Sequence, residues 1–203
     1  MNSRCYLLFE AGHGKETPGK RSPNGLFREY AWARKVVSRV VNRLNSMGYT
    51  AINTVPEEED IPLSKRVSRV NEYCNKYGRD NVIFISVHVN AAGMGQEWMK
   101  ARGWSAFTTV GQTKADKVAD DLYWAAEQIF PSKGLKIRYD LVDGDPDWES
   151  NFYVLKNTSC PAVLIENFFQ DNEEDYKYLM TEESIIDCSQ VIINGLIAYL
   201  QKR

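Results

Sequence analysis

The segment NVIFISVHVNA (81–91) narrows the choice of folds more than any other stretch of the chain. It is a continuous, β-branched apolar run, as expected for a strand covered on both faces. Such strands belong to parallel sheets, whose crossover connections lay helices on either side. The flanking sequence supplies those connections. Residues 4–11 read as another buried strand, followed by a loop containing Pro18, Gly19, Pro23, Asn24 and Gly25. From Leu26, the residues Tyr30, Ala33, Val37, Val40, Val41, Leu44 and Met47 recur at three- and four-residue steps, which predicts a helix stopped by Gly48. YTAINTV (49–55) predicts a strand, EEED (57–60) a solvated loop, and Pro62 the start of a helix that runs to Tyr77 and ends at Gly78. A strand over 104–110, a helix over 112–130, a buried strand over 161–169 and helices near 172–180 and over 182–201 complete the pattern. Residues 136–160 carry short strand signals around the acidic DGDPDWES. This alternation predicts one α/β domain over 1–203: a twisted, mostly parallel β-sheet flanked by helices on both faces, with no internal repeat or linker.

Composition excludes several classes. A net charge of −2 over 203 residues lacks the basic excess of a nucleic-acid-binding surface. No apolar run reaches membrane-spanning length. The seven-residue apolar run Cys5–Ala11 has no small-residue cleavage site behind it and reads as strand, so synthesis in the cytoplasm without the usual export signal is expected. Cys5, Cys74, Cys160 and Cys188 form no CxxC pair and match no zinc-knuckle spacing. They read as small packing residues in the reduced state.

In an open parallel sheet, ligands bind beyond the carboxyl ends of the strands. His13 follows strand 4–11 inside a Gly-His-Gly turn, and His88 and Asn90 end strand 81–91. Glu166 ends strand 161–169, and Glu29 opens the first helix. Singly, each has a structural explanation: a hydrogen-bonded histidine, or a carboxylate at a helix N-terminus. Glu166 resists one most, because VLIENFF surrounds its charge with apolar side chains. Jointly, the four make a coherent set. Catalytic zinc commonly takes two histidines and a carboxylate and keeps one position open for water, whose proton a separate carboxylate can accept. His13, Glu29 and His88 are the expected Zn²⁺ ligands, one ion per chain, and Glu166 the expected acid/base.

The same segments resemble the zinc-dependent N-acetylmuramoyl-L-alanine amidases of the amidase-3 type. FEAGHGKETPG is similar to that family's opening strand and D-x-G-H-G turn, and GLFREYAWARKVVSRVVNRLNSMGY to the helix whose early glutamate is a zinc ligand, here Glu29. PLSKRVSRVNEY resembles its Leu-x-x-Arg helix, FISVHVNAA its S-x-H-x-N-A segment, and FYVLKNTSCPAVLIENFFQDNEEDYKYL its closing motif with Glu166 as catalytic glutamate. The segments occur in the family's order over nearly the whole chain. The resemblance implies hydrolysis of the amide between the lactyl group of N-acetylmuramic acid and L-alanine, hence a peptidoglycan substrate reached outside the cytoplasm by lysis or another export route. No wall-binding domain is expected beside the catalytic one, and a monomer is expected.

The chain departs from the family at two places. Glu10 stands where aspartate is usual, and ENFF replaces E-x-G-F, so that Asn167 and Phe168 alter the wall beside Glu166. Glu10, Asn90, Trp148 and Asn167 are candidates to support the ligands or touch substrate. Tyr139, Phe152 and Tyr153 could join Trp148 on a sugar or peptide, and Trp98 and Trp104 could line the groove. Asp140, Asp143, Asp145 and Asp147 could attract an ammonium group or form a solvated turn. Two other readings stay open: a zinc carboxypeptidase or amidohydrolase acting on another peptide, and a non-catalytic wall-binding domain of the same fold. A thiol hydrolase using Cys160 or Cys5 would have no histidine left once both are assigned to metal.

Overall fold

A computed structural model describes residues 5–142 and 144–203. In chain order the elements are β1 (Tyr6–Ala11), α1 (Glu29–Ser46), β2 (Thr50–Asn53), α2 (Leu63–Tyr77), β3 (Val82–Asn90), β4 (Ser105–Thr108), α3 (Lys114–Ile129), β5 (Trp148–Glu149), α4 (Tyr153–Lys156), β6 (Ala162–Phe169), α5 (Glu173–Leu179) and α6 (Glu182–Gln201). The six strands lie in the order β2-β1-β3-β6-β4-β5. Strands β2, β1, β3 and β6 are mutually parallel, β4 runs antiparallel to β6, and β5 runs parallel to β4. The sheet is therefore mostly parallel, with two short strands reversed at one edge, and it matches the predicted fold class.

The two-residue period of the strands sorts side chains between two cores. Leu7, Phe9 and Ala11 of β1, Ile83, Ile85, Val87 and Val89 of β3, and Val163 and Ile165 of β6 pack with residues of α1, α3 and α6. On the opposite face, Leu8, Val82, Phe84, Ala162 and Leu164 pack with Val67, Val70 and Cys74 of α2 and with Val154 and Leu155 of α4. In β1 and β3 the first face stays apolar to the strand ends, at Ala11 and Val89. The second turns polar as the strands continue through Glu10, Ser86, His88 and Glu166.

Local chemistry sets the element boundaries. Helix α1 begins at Glu29, three residues after Leu26, because residues 21–28 fold back on themselves: Ser22 and Phe27 exchange backbone and Oγ hydrogen bonds, and Arg21 bridges Arg28. Phe27 is thereby buried and Leu26 exposed. Trp32 and Val36 join the expected buried face of α1, while Met47 lies beyond the helix end and is exposed. Burial of each Val or Leu on this face contributes about 1.5–3 kcal/mol. Helix α3 opens with a reciprocal capping box between Thr113 and Asp116.

The acidic loop 57–60 is not merely solvated. Glu57 pairs with Arg69 at 2.6 Å and Asp60 with Arg66 at 3.2 Å, because α2 presents these arginines toward the loop. Among the described residues of 136–160, the regular elements are the two-residue β5 and the single turn of α4, with Ile137 bridged to Trp104.

Candidate metal centre

The parallel strands β1, β3 and β6 end at the same edge of the sheet. His13 follows β1 in the Gly12–Gly14 turn with φ +59°, a left-handed conformation uncommon for a residue with a side chain. Two arginines hold it there. The His13 carbonyl accepts from Arg34 Nη2 of α1 at 3.0 Å and from Arg66 Nη2 of α2 at 3.4 Å. Arg66 is buried, and it also donates to the carbonyls of Ala11 (2.9 Å) and Ile61 (2.7 Å). Gly12 is required by close approach: a Cβ there would lie 2.3 Å from His88 Cε1. A Cβ at Gly14 would lie 2.1 Å from the backbone nitrogen of Asp60.

Glu29, in the first turn of α1, is 1% exposed and reaches across the strand ends. Its Oε1 accepts from Val89 N–H at 3.0 Å and lies 3.1 Å from His88 Nδ1 and 3.6 Å from His13 Nε2. The two imidazole rings are 4.9 Å apart and perpendicular. Ligand atoms of His13, Glu29 and His88 all fall within 4.8 Å of one another, and among the described residues this is the one trio of His, Cys, Asp or Glu that does so.

Glu166 sits directly opposite His88 in the β3–β6 register, and its Oε2 is buried without a hydrogen-bond partner. Burial pushes its carboxyl up to about 7. Burial also lowers His13 to about 4, which leaves a neutral imidazole able to bind a cation. At His88, burial opposes the charged form, but the bond and charge of Glu29 outweigh it and the pKa rises. At Glu29, the two imidazoles and the Val89 amide outweigh burial and hold the carboxyl below its ordinary value. Two imidazole nitrogens and a carboxylate oxygen converging this closely, with an unsatisfied carboxylate beside them, suit a zinc ion.

The remaining candidates divide. Glu10 is buried, accepts from Ser86 Oγ at 2.7 Å and pairs with Arg66 at 3.3 Å, so it acts on the His13 turn through Arg66. Asn167 is fully buried, out of reach of a substrate, and ties the strands together by donating to the His88 carbonyl at 3.0 Å. Asn90 accepts from the Ala91 amide at 2.8 Å, just past an irregularity in the β3–β6 ladder. Trp148 lies apart from this cluster: β4 intervenes between its strand and β6, and its ring packs under Arg138 at 4.6 Å and beside Phe107. Tyr139 packs on Tyr123, and Phe152 on Phe107. Trp104 is a core residue, while Trp98 leans on Tyr176. Asp145 and Asp147 bond Gln112 and Thr108 at 2.7 Å each, and Asp143 lies outside the described residues.

Residue 168 is informative. Phe168 has φ +65°, the left-handed region in which the family motif's glycine would be unstrained, and its ring is buried against Phe130 and Tyr178. The supports in Arg34, Arg66, Asp60 and Gln170 are not assigned by sequence reasoning. Leu-x-x-Arg was a visible signal for Arg66. Gln170 Nε2, 3.5 Å from Glu29 Oε2, carried none.

Comparison with known proteins agrees with this arrangement. The model of the N-acetylmuramoyl-L-alanine amidase family matches residues 8–198. The amidase AmiC of Neisseria meningitidis is 26% identical over 228 residues, covering 97% of this chain and 53% of that protein. The endolysin of Bacillus phage SPP1 is 28% identical over 196 residues, covering 96% and 65%. The chain thus spans between about half and two thirds of the length of these relatives. Among solved structures, an N-acetylmuramoyl-L-alanine amidase from Clostridium difficile 630 superposes with a TM-score of 0.81 at 19% identity, covering 99% of both chains. The catalytic domain of CwlV from Paenibacillus polymyxa gives 0.78 at 21% identity, covering 98% and 99%. These two establish likeness of fold. The family match runs from Leu8 in β1 to Ala198 in α6 and takes in every strand, and on that ground the chain belongs to the N-acetylmuramoyl-L-alanine amidase family.

Proposed function

We propose that the protein is a zinc-dependent peptidoglycan hydrolase that cleaves the amide joining the lactyl group of N-acetylmuramic acid to L-alanine. The observation that carries this reading is the meeting of His13, Glu29 and His88 within 4.8 Å, with Glu166 opposite His88 on the neighbouring strand. The residues that would hold zinc are the neutral His13, the buried Glu29 and His88. When bound, zinc supplies Lewis-acid polarisation of the amide carbonyl and acidifies water. The protein residues do the proton work. Glu166, with a pKa near neutrality, takes the proton of the attacking water and returns it to the departing alanine nitrogen. A cleft of about 370 Å³, lined by Asp60, Ile61, Pro62 and Leu63, opens onto both imidazoles and gives the scissile amide a path to them.

The test combines two measurements. Metal content is determined on the purified protein, and sacculi are digested with and without chelator while new L-alanine amino termini are quantified. The expected result is one zinc per chain and chelator-sensitive release of alanine termini. Glu166→Ala should keep zinc and lose turnover by about 10²–10⁴-fold. Undiminished lysis by a folded Glu166→Ala protein would refute the acid/base assignment, and release of termini other than alanine would refute the substrate.

A further inference from the structure

Two of the four cysteines meet on the α2 face, away from the metal cluster. Cys74 lies in the last turns of α2, and Cys160 lies two residues before β6 begins. Both are buried in the same apolar cluster, and each thiol is close enough to shift the titration of the other. Neighbouring residues enforce the contact. Asn71, one turn before Cys74, donates from Nδ2 to the Asn157 carbonyl at 2.9 Å and accepts from the Ser159 amide at 2.9 Å. The side chain of Asn71 thus clips α2 to the segment that delivers Cys160. Apolar residues, including Val70, Val82, Leu155 and Ala162, enclose the pair.

One member of the pair borders open space: Cys160 lines a cleft of about 530 Å³ whose walls carry Arg79, Lys156 and Lys114, the last paired with Asp80 at 2.7 Å. The excess of positive charge suits a small anionic disulfide such as glutathione disulfide. The neighbouring thiol lowers the pKa of Cys74, which favours a thiolate, and raises that of Cys160.

We propose that Cys74 and Cys160 are a disulfide-forming site, oxidised in the folded protein by a low-molecular-weight disulfide. One thiolate attacks a sulfur of the oxidant and releases one thiol. The other thiolate then attacks the cysteine sulfur of that mixed disulfide and releases the second thiol. The two cysteines lose two electrons and two protons, and the oxidant gains them as two thiols. The new bond joins α2, which bears the Arg66 that holds the His13 turn, to the start of β6, which bears Glu166. It would brace the site from beneath without touching it.

The test uses the reduced full-length chain, incubated folded with glutathione disulfide, quenched in acid and alkylated in denaturant. Peptide mapping by mass should show two of the four thiols lost and a cross-linked peptide containing Cys74 and Cys160. Thermal denaturation should show a midpoint about 10 °C above the reduced protein, reversed by dithiothreitol. Cys5→Ser/Cys188→Ala should keep both effects, while Cys74→Ser and Cys160→Ser should each abolish them. The first double variant keeps the test decisive should a substitution at 74 or 160 fail to fold. Four surviving thiols, an unresolved glutathione adduct on one cysteine, or a cross-link that leaves the midpoint unchanged or lower would each overturn the proposal.

Discussion

Gly12→Ala is the most searching single perturbation of the metal centre. The backbone at residue 12 is outside the left-handed region, so alanine meets no conformational penalty there. Its Cβ, however, would lie 2.3, 2.4 and 2.7 Å from three atoms of the His88 ring, where ordinary contacts begin at 3.4 Å. Something must therefore move by about 1 Å, roughly twice the tolerance of a functional constellation. The backbone resists, because Gly12 N–H is held by the Val87 carbonyl at 2.9 Å. The imidazole is the part that gives, and its retreat breaks the 3.1 Å contact with Glu29. Zinc affinity should fall about 10²-fold, or about 2.7 kcal/mol, with kcat/KM falling at least in proportion. Stability of the metal-free protein should change little, because removing glycine from the unfolded chain offsets part of the strain. The assay is competition for zinc against a chromogenic chelator, with circular dichroism and a melting curve on the metal-free protein. A folded Gly12→Ala protein with unaltered zinc affinity would refute the claim that the bare backbone makes room for the His88 ring.

Other substitutions test the supports. Phe168→Gly relieves a left-handed backbone worth about 1–2 kcal/mol but removes a buried ring worth about 3–5 kcal/mol, so urea denaturation should show a net loss of about 2 kcal/mol. Arg66→Met leaves the Glu10 carboxylate buried and unpaired at a cost of about 3–5 kcal/mol, and Glu10→Gln/Arg66→Met should recover part of it in a double-mutant cycle. Burial pushes Asp147 up to about 8. The folded state therefore holds this proton after the unfolded chain has released it near pH 4. The Asp147 contribution should lower stability as pH rises from about 4 to about 8, and Asp147→Asn should flatten that slope in melting curves taken across the range.

Periodicity made the layers legible, and ordered motifs singled out the His13, Glu29 and His88 that converge in space. In VIFISVHVN the odd positions 83, 85, 87 and 89 are all branched aliphatics, while the even positions run from Val82 and Phe84 to Ser86 and His88. One face of β3 is thus committed to a core, and the other changes character along its length. The two reversed strands were harder to place, because four residues of β4 and two of β5 carry too little pattern to fix direction. The position of Trp148 was hidden for the same reason: proximity to an acidic loop in sequence says nothing about which strand intervenes in space. Glu10 and Asn167 show the complementary difficulty. Their types fit contact with a ligand or substrate, but only three-dimensional packing shows that Arg66, Ser86 and the His88 carbonyl occupy them.

Backbone strain and an unsatisfied buried carboxylate meet at one end of the sheet, and their coincidence has a physical reading. Among the described residues, the two non-glycine residues with positive φ are His13, after β1, and Phe168, near the end of β6. One belongs to the trio and the other lies two residues after Glu166, each at a cost of order 1–3 kcal/mol. Of the eleven buried side-chain polar atoms without partners among the described residues, three lie on β6 or at the residue that follows it: Glu166 Oε2, Asn167 Oδ1 and Gln170 Oε1. Lower on the same face, Leu8, Val82, Phe84, Ala162 and Leu164 are apolar and packed with residues of α2 and α4. The protein thus spends the stability of that lower core on a polar rim that is incomplete as protein alone. Such a rim persists because surrounding groups over-determine it: two arginines fix one carbonyl oxygen of His13, and a fully buried asparagine fixes that of His88. Glu166 Oε2, unsatisfied and opposite His88 in the ladder, is the group that a bound cation and a polarised amide would complete.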